Sequence, residues 1–354
     1  METQVKAALA ISDYRQASKL LKQWQQQDAR NPLLRLYAAQ LQEQTQRLES
    51  AEKNYKKLLQ QSTHRKIITQ ARAGIERVHR LRQAQKQAEL EKAHSVSGAD
   101  ETTVLAIASP PPEYKDQAIK KFAEVFDIDA YTARMKIPNE GFRIYRIGTW
   151  GDLHYFQQQL ATGNAPAFCV KTKDIQSLQT FQVTHFEALS PQPAVICKNA
   201  DKQLGKLSFD WSEVTKQVRG QLPIFEQVID LGAMGRMIHK EKVQDYAQVV
   251  DLHLPGREIV LRVCDRLYQY KQGISLGGNN EINSRIRWNQ LLAAVDEATD
   301  SLLMNDFARF GKGALEFINL LPAIHPNLDV DRRAPSDWDL AFHLHSSLCY
   351  LGEY

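Results

Sequence analysis

The first 92 residues repeat themselves at a spacing of 34. Tyr14, Ala17, Leu21 and Trp24 stand 34 positions before Leu48, Ala51, Tyr55 and Leu58, and small or large apolar character is kept at each pair. Within each set the steps are three, four and three residues, which is one face of a helix. The segment is rich in Gln, Ala, Leu, Lys and Arg, all strong helix formers, and its only proline is Pro32. A single helix cannot bury such a face, so the segment has to fold as helices packed on one another. Asp28-Ala29-Arg30-Asn31-Pro32 reads as a turn between two of them, with proline opening the next helix.

Helices recurring every 34 residues are the mark of tetratricopeptide hairpins. Residues 3–90 resemble that family, with Ala17 and Ala51 as small contact residues and Leu21 and Tyr55 as the large groove residues a turn later. An ordinary antiparallel helical bundle accounts for the same pattern.

Charge is unevenly placed. The whole chain carries +4, but residues 1–100 hold 18 Lys+Arg against 10 Asp+Glu, or +8, so the remainder carries 4 − 8 = −4. From Lys53 to Lys86 there are ten basic residues and one acid, Glu76. Arg65, Arg72 and His79 fall seven apart and share a helix face. The candidate partner-binding surface is therefore Lys56, Lys57, Arg65, Lys66, Arg72, Arg77, Arg80 and Arg82. Such a face attracts an acidic protein surface. Nucleic-acid phosphates or a membrane surface are alternatives, and a merely solvated helix face is the plain reading. No aromatics interleave these arginines, so a stacking platform for single strands is not indicated.

The rest of the chain reads as α+β. Residues 93–101 are expected to be a linker, because apolar periodicity fades over Glu89–Asp100. A small α/β module is expected over 102–172, with strands at Thr102–Ala108, Phe142–Ile147 and Ala167–Val170. Its helices are expected at Asp116–Phe126, Asp129–Met135 and Asp152–Leu160. Residues 173–298 read as a mainly antiparallel, barrel-like region of the pleckstrin-homology kind, closed by a helix over Trp288–Ala298. Its strands are expected at Leu178–Phe186, Ala194–Lys198, Leu204–Trp211, Pro223–Leu231, Asp245–Leu254, Glu258–Cys264 and Arg266–Lys271. Met234–Lys242 is expected to be a basic surface helix or loop. Residues 299–354 supply packed helices at Phe307–Leu321 and Ser336–Leu351.

Chemical signatures are sparse. The four cysteines are widely spaced, with no CxxC, and each lies in an apolar run. His343 and His345 would share a face on a strand but not on a helix, and a helix is expected, so no metal site is assigned. Asp251 and His253 alternate in a β-like run and form the one acid–imidazole pair that could be nominated for catalysis. A structural hydrogen bond is its plainer role. Gly273–Asn280 is glycine-rich but lacks GxxxxGK[ST], and neither HExxH nor GxGxxG occurs. No cofactor is expected.

Taken with the helical start, the runs DIDAYTARMKIP, GFRIYRIGTWGDLHYF, FDWSEV, LPIFEQVID and QDYAQVVDLHLPGREIVLRVCDRLYQYKQG resemble a group of cyanobacterial tetratricopeptide-containing proteins. The resemblance implies a cytoplasmic interaction protein and carries no catalytic residues across. No apolar run reaches the roughly 20 residues of a spanning helix, and the N-terminus has no secretory h-region. The expected function is a non-catalytic scaffold or adaptor acting through the helical region. A regulatory module sensing a small anion or nucleotide in the β-rich region and a nucleic-acid-associated protein are the alternatives.

Overall fold

The computed structural model describes residues 1–231, 237–275, 283–330, 332 and 336–352, with only the backbone described over 227–231 and 237–241. The chain divides into two compact units, Met1–Lys92 and Ala93–Tyr354.

The first unit is built from helices α1 (Glu2–Ala10), α2 (Tyr14–Gln27), α3 (Pro32–Gln44) and α4 (Leu48–Gln61), with α5 (Arg65–His94) beginning in it. α2 and α4 each span 14 residues and begin 34 apart, as the apolar spacing requires. Asp13 caps α2 by accepting from the Gln16 amide at 3.0 Å, and Asn31 caps α3 from the Leu33 amide at 3.0 Å with Pro32 in the first turn. Ala17 and Ala51 are completely buried, which lets their helices approach closely. Tyr55 packs over Gly74 of α5, where an added Cβ would lie 2.4 Å from its ring.

The expected linker starts later than its composition suggests. α5 continues to His94, since Glu, Lys, Gln and Ala sustain a helix without an apolar face. Residues 99–101 are then tied to the second unit. The Gly151 amide donates to Ala99 O and the Trp150 amide to Glu101 O, both at 2.9 Å.

The second unit holds two sheets. Strands β1 (Thr102–Ala108), β2 (Phe142–Thr149) and β3 (Ala167–Lys171) form an antiparallel sheet in the order β2-β1-β3. Helices α6 (Lys115–Phe126), α7 (Ala130–Lys136), α8 (Trp150–Ala161) and the short α9 (Thr172–Ser177) connect these strands or follow them. The second sheet has seven strands: β4 (Gln179–Ala188), β5 (Ala194–Lys198), β6 (Leu204–Ser208), β7 (Lys216–Leu231), β8 (Met237–Leu254), β9 (Ile259–Cys264) and β10 (Leu302–Met304). Its order is β10-β7-β8-β9-β4-β5-β6, ending on β10 and β6, so the barrel expected over 173–298 does not close. Two of its pairings, β4 with β9 and β7 with β10, are parallel.

Other expectations shift. The residues of the expected basic helix or loop that are described, 237–242, belong to β8; residues 234–236 lie outside the described residues. Arg266–Lys271 is a series of turns, because Leu267 and Tyr268 both donate their amides back to Cys264 O. The helix expected over Phe307–Leu321 is α11 (Phe307–Ala314) followed by a single 3-10 turn at Ile318–Leu320.

The seven-stranded sheet is covered on both faces. α10 (Ser284–Ala298) lies on one, where Val250, Leu252, Leu261, Trp288 and Leu291 share a core. α11 and α12 (Asp337–Leu351) lie on the other, in a core that also contains Phe142, Phe168 and Val170 of the small sheet. α12 thus packs between the two sheets, and all of Ala341–Cys349 is buried.

Candidate binding groove

The first unit carries a groove of about 780 Å³ among α2, α3 and α4. Its apolar floor is Leu21, Leu34, Ala38 and Leu41. Five cations line it, Arg15, Lys22, Arg35, Arg47 and Lys57, and no carboxylate does. The placement follows from helix geometry. Arg15, Ser18, Lys22 and Gln25 are spaced three, four and three apart and form one stripe of α2. The caps at Asp13 and Asn31 fix where each helix starts, and so which way each stripe faces. The walls are braced by polar contacts: Asn54 donates to Gln42 Oε1 at 2.8 Å, and Arg35 Nη1 donates to Gln61 Oε1. Charges of one sign lining one groove reinforce one another's potential.

The basic residues singled out from sequence divide into three groups. Lys57 lines the groove. Arg65, Lys66, Arg72 and Arg80 are exposed along α5. Arg77, Arg82 and Lys56 are engaged within the unit. Arg77 donates to Glu43 through Nε at 2.7 Å and Nη2 at 3.0 Å, and Tyr55 donates its hydroxyl to the same carboxylate at 2.7 Å. Glu43 is buried, and its hydrogen bond holds the Arg77 guanidinium more firmly protonated than usual against the cost of burial. Arg82 and Lys56 both pair with Glu52, at 2.6 and 2.5 Å. Burial opposes ionisation of Glu52, but these cations outweigh it and its carboxyl is lowered. Arg15, Lys22, Arg35 and Arg47 were not singled out from the sequence. Arg15 and Lys22 share a polar stripe of α2 beside its apolar face, whereas Arg35 on α3 and Arg47 at the start of α4 join them only through helix packing.

In the second unit Asp251 and His253 share a face of β8, as the alternation requires, but they do not pair. Asp251 accepts from Arg262 Nε at 2.8 Å and from its Nη2 at 2.6 Å. His253 Nε2 meets Ser346 Oγ at 2.9 Å, and its ring lies edge-on to Tyr350 at 5.2 Å. Both residues are buried, out of reach of a solvent-borne substrate. His343 and His345 lie on α12 and diverge: His343 Nδ1 is 3.4 Å from Arg262 Nη2, whereas His345 Nε2 is 3.1 Å from Asp306 Oδ1. Among the described residues no group of His, Cys, Asp and Glu is arranged to hold a metal. The four cysteines are unbridged, and burial pushes the Cys169 and Cys264 thiols up to about 12.

Gly273-Ile274-Ser275-Leu276-Gly277 spells GxSxG. A nucleophile elbow needs its serine on a turn directly between strand and helix. Ser275 follows β9 by eleven residues, with turns between, so among the described residues no strand leads directly into it. Residues 276–280 of the glycine-rich stretch lie outside the described residues. No helix of the described residues is long and apolar enough to cross a membrane. Comparison of the chain with family models, curated proteins and solved structures finds no match.

Proposed function

We propose that this chain is a protein–protein adaptor whose first unit holds an acidic, partly apolar segment of its partner in the groove of α2, α3 and α4. The observation that carries the reading is the ring of five cations, with no carboxylate, around a floor of four apolar side chains. Desolvated apolar anchors supply affinity, while the cations supply on-rate and exclude basic competitors. The 34-residue succession of helices supports a tetratricopeptide-like array of the kind found in the cyanobacterial group that the sequence resembles.

The test is fluorescence anisotropy on the full chain with a labelled peptide of alternating Glu and Leu. The expected result is saturable binding that weakens with salt. It should fall about tenfold or more, at least 1.4 kcal/mol, when Arg15, Lys22 and Arg47 are reversed to Glu. Reversing Arg65, Lys66 and Arg72 instead should change it far less. Equal effects from the two triple variants, or tighter binding of a single-stranded oligonucleotide, would overturn the reading.

A further inference from the structure

A second concavity, of about 620 Å³, lies wholly within the second unit, between α7, the 138–141 turn and α11. Its key residue is Asp306, which stands at the cap position of α11 yet makes no side-chain cap hydrogen bond. The carboxylate turns instead to His345, whose Nε2 meets Oδ1 at 3.1 Å. His345 is completely buried, and its ring stacks on Phe142 at 5.4 Å. Among the described residues no side chain donates to Asp306 Oδ2, which lies against the bare backbone of Gly141. A Cβ at Gly141 would fall 2.0 Å from that oxygen, and this glycine has φ +61°. A carboxylate is therefore fixed through one oxygen while the other is left without a side-chain partner at the cleft.

Cations line the same cleft. Arg309 is paired there with Glu140 at 3.0 Å, whereas Arg143 makes one long contact, Nη1 to Met135 O at 3.4 Å. Arg134 lies nearby and reaches only the exposed Asp116, at 3.7 Å. The floor is apolar, with Phe142 and Phe310 packed edge-to-face at 5.2 Å beside Ile137. A fixed anion, loosely held guanidinium groups and an aromatic floor in one cleft select a guest with both charges and an apolar body.

We propose that this cleft binds a small zwitterion, an α-amino acid with an apolar side chain. Its ammonium group lies on Asp306, its carboxylate on Arg143 and Arg134, and its side chain over Phe142, Phe310 and Ile137. Burying either charge of the guest without its partner would cost more than the apolar contact returns, so both are required. The site is independent of the groove in the first unit.

Isothermal titration of the full chain with L-leucine tests this, with L-leucinamide and 4-methylpentanoate as probes lacking the acid and the amine. Saturable binding of leucine is expected, with each analogue about tenfold weaker or worse. Asp306→Asn removes the partner of His345 and can unfold the chain, so Arg143→Met is the working variant. It should weaken leucine binding about tenfold with an unchanged melting curve. The proposal is overturned if either analogue binds as well as leucine, or if Arg143→Met binds like the parent. It is also overturned if leucine, isoleucine, methionine and phenylalanine all fail to saturate at about 10 mM, well above the ~1 mM Kd that −4 kcal/mol represents.

Discussion

Arg262 faces Asp251 across β9 and β8, donating Nε and Nη2 to its two carboxylate oxygens at 2.8 and 2.6 Å, and neither side chain has exposed surface. The guanidinium also lies over the Phe342 ring at 5.2 Å and donates to Pro326 O, so the pair ties the sheet to α12 and to the 324–330 segment. Removing one partner strands a buried charge. Arg262→Met should destabilise the second unit by about 3–5 kcal/mol, while Asp251→Leu with Arg262→Met should recover most of that loss. Denaturant unfolding followed by tryptophan fluorescence reads the effect, since four of the five tryptophans lie after residue 92. A double variant no more stable than Arg262→Met would count against this account.

The buried histidines bracket stability on both sides of neutrality. Burial, aided for His343 by the Arg262 charge, drives His253 and His343 down to about 3. Unfolded, each would titrate near 6.5. Their contribution is complete above that value and lost as pH falls, at about 1.4 kcal/mol per pH unit for each. For His345, burial alone would lower the pKa, but Cys349 and the Asp306 carboxylate raise it to about 9. Its contribution is complete below about 6.5 and lost as pH rises toward 9. His343→Gln should shrink the stability difference between pH 7 and pH 5 by about 2 kcal/mol. His345→Gln should flatten the alkaline side and leave the acid side as it was.

Two helical glycines should respond oppositely to alanine. Gly313 on α11 has open space where Cβ would go, so Gly313→Ala should stabilise by about 0.5–1 kcal/mol through helix propensity. Gly74 on α5 faces the fully buried Tyr55 ring at 2.4 Å, and there the clash should outweigh propensity and cost about 1–3 kcal/mol. Thermal melts of the two variants check both signs.

Much of this was legible in the sequence wherever a local rule decided the outcome. The 34-residue spacing placed α2 and α4, and the turn at Pro255–Arg257 fixes the hairpin that pairs Asp251 with Arg262. The charge pair itself was not read from the sequence, although an arginine inside the apolar run IVLRVC needs a buried partner, which that register supplies. The sheet order was not legible, because the parallel pairings of β4 with β9 and β7 with β10 join strands far apart in the chain. Nor was the groove: its cations are scattered over α2, α3 and α4 and meet only when those helices pack.

The same packing decides which basic residues of α5 can serve a partner. Arg77 and Arg72 look equivalent in sequence, five positions apart in one charged run. Arg77 is half-buried and closes a network in which Glu43 of α3 also accepts from Tyr55 of α4. Arg72 is exposed and makes no such bond. Arg77→Ala should leave the buried Glu43 carboxylate short of its cation and cost about 1.5–3 kcal/mol, the usual worth of hydrogen bonds to charged groups. Arg72→Ala should stay within about 0.5 kcal/mol. Binding of the acidic peptide should respond to neither change beyond the general loss of one positive charge, because neither residue lines the groove. Unfolding midpoints and anisotropy on the same two variants separate the roles. A stable Arg77→Ala chain with weakened peptide binding would move the partner surface from the groove to α5.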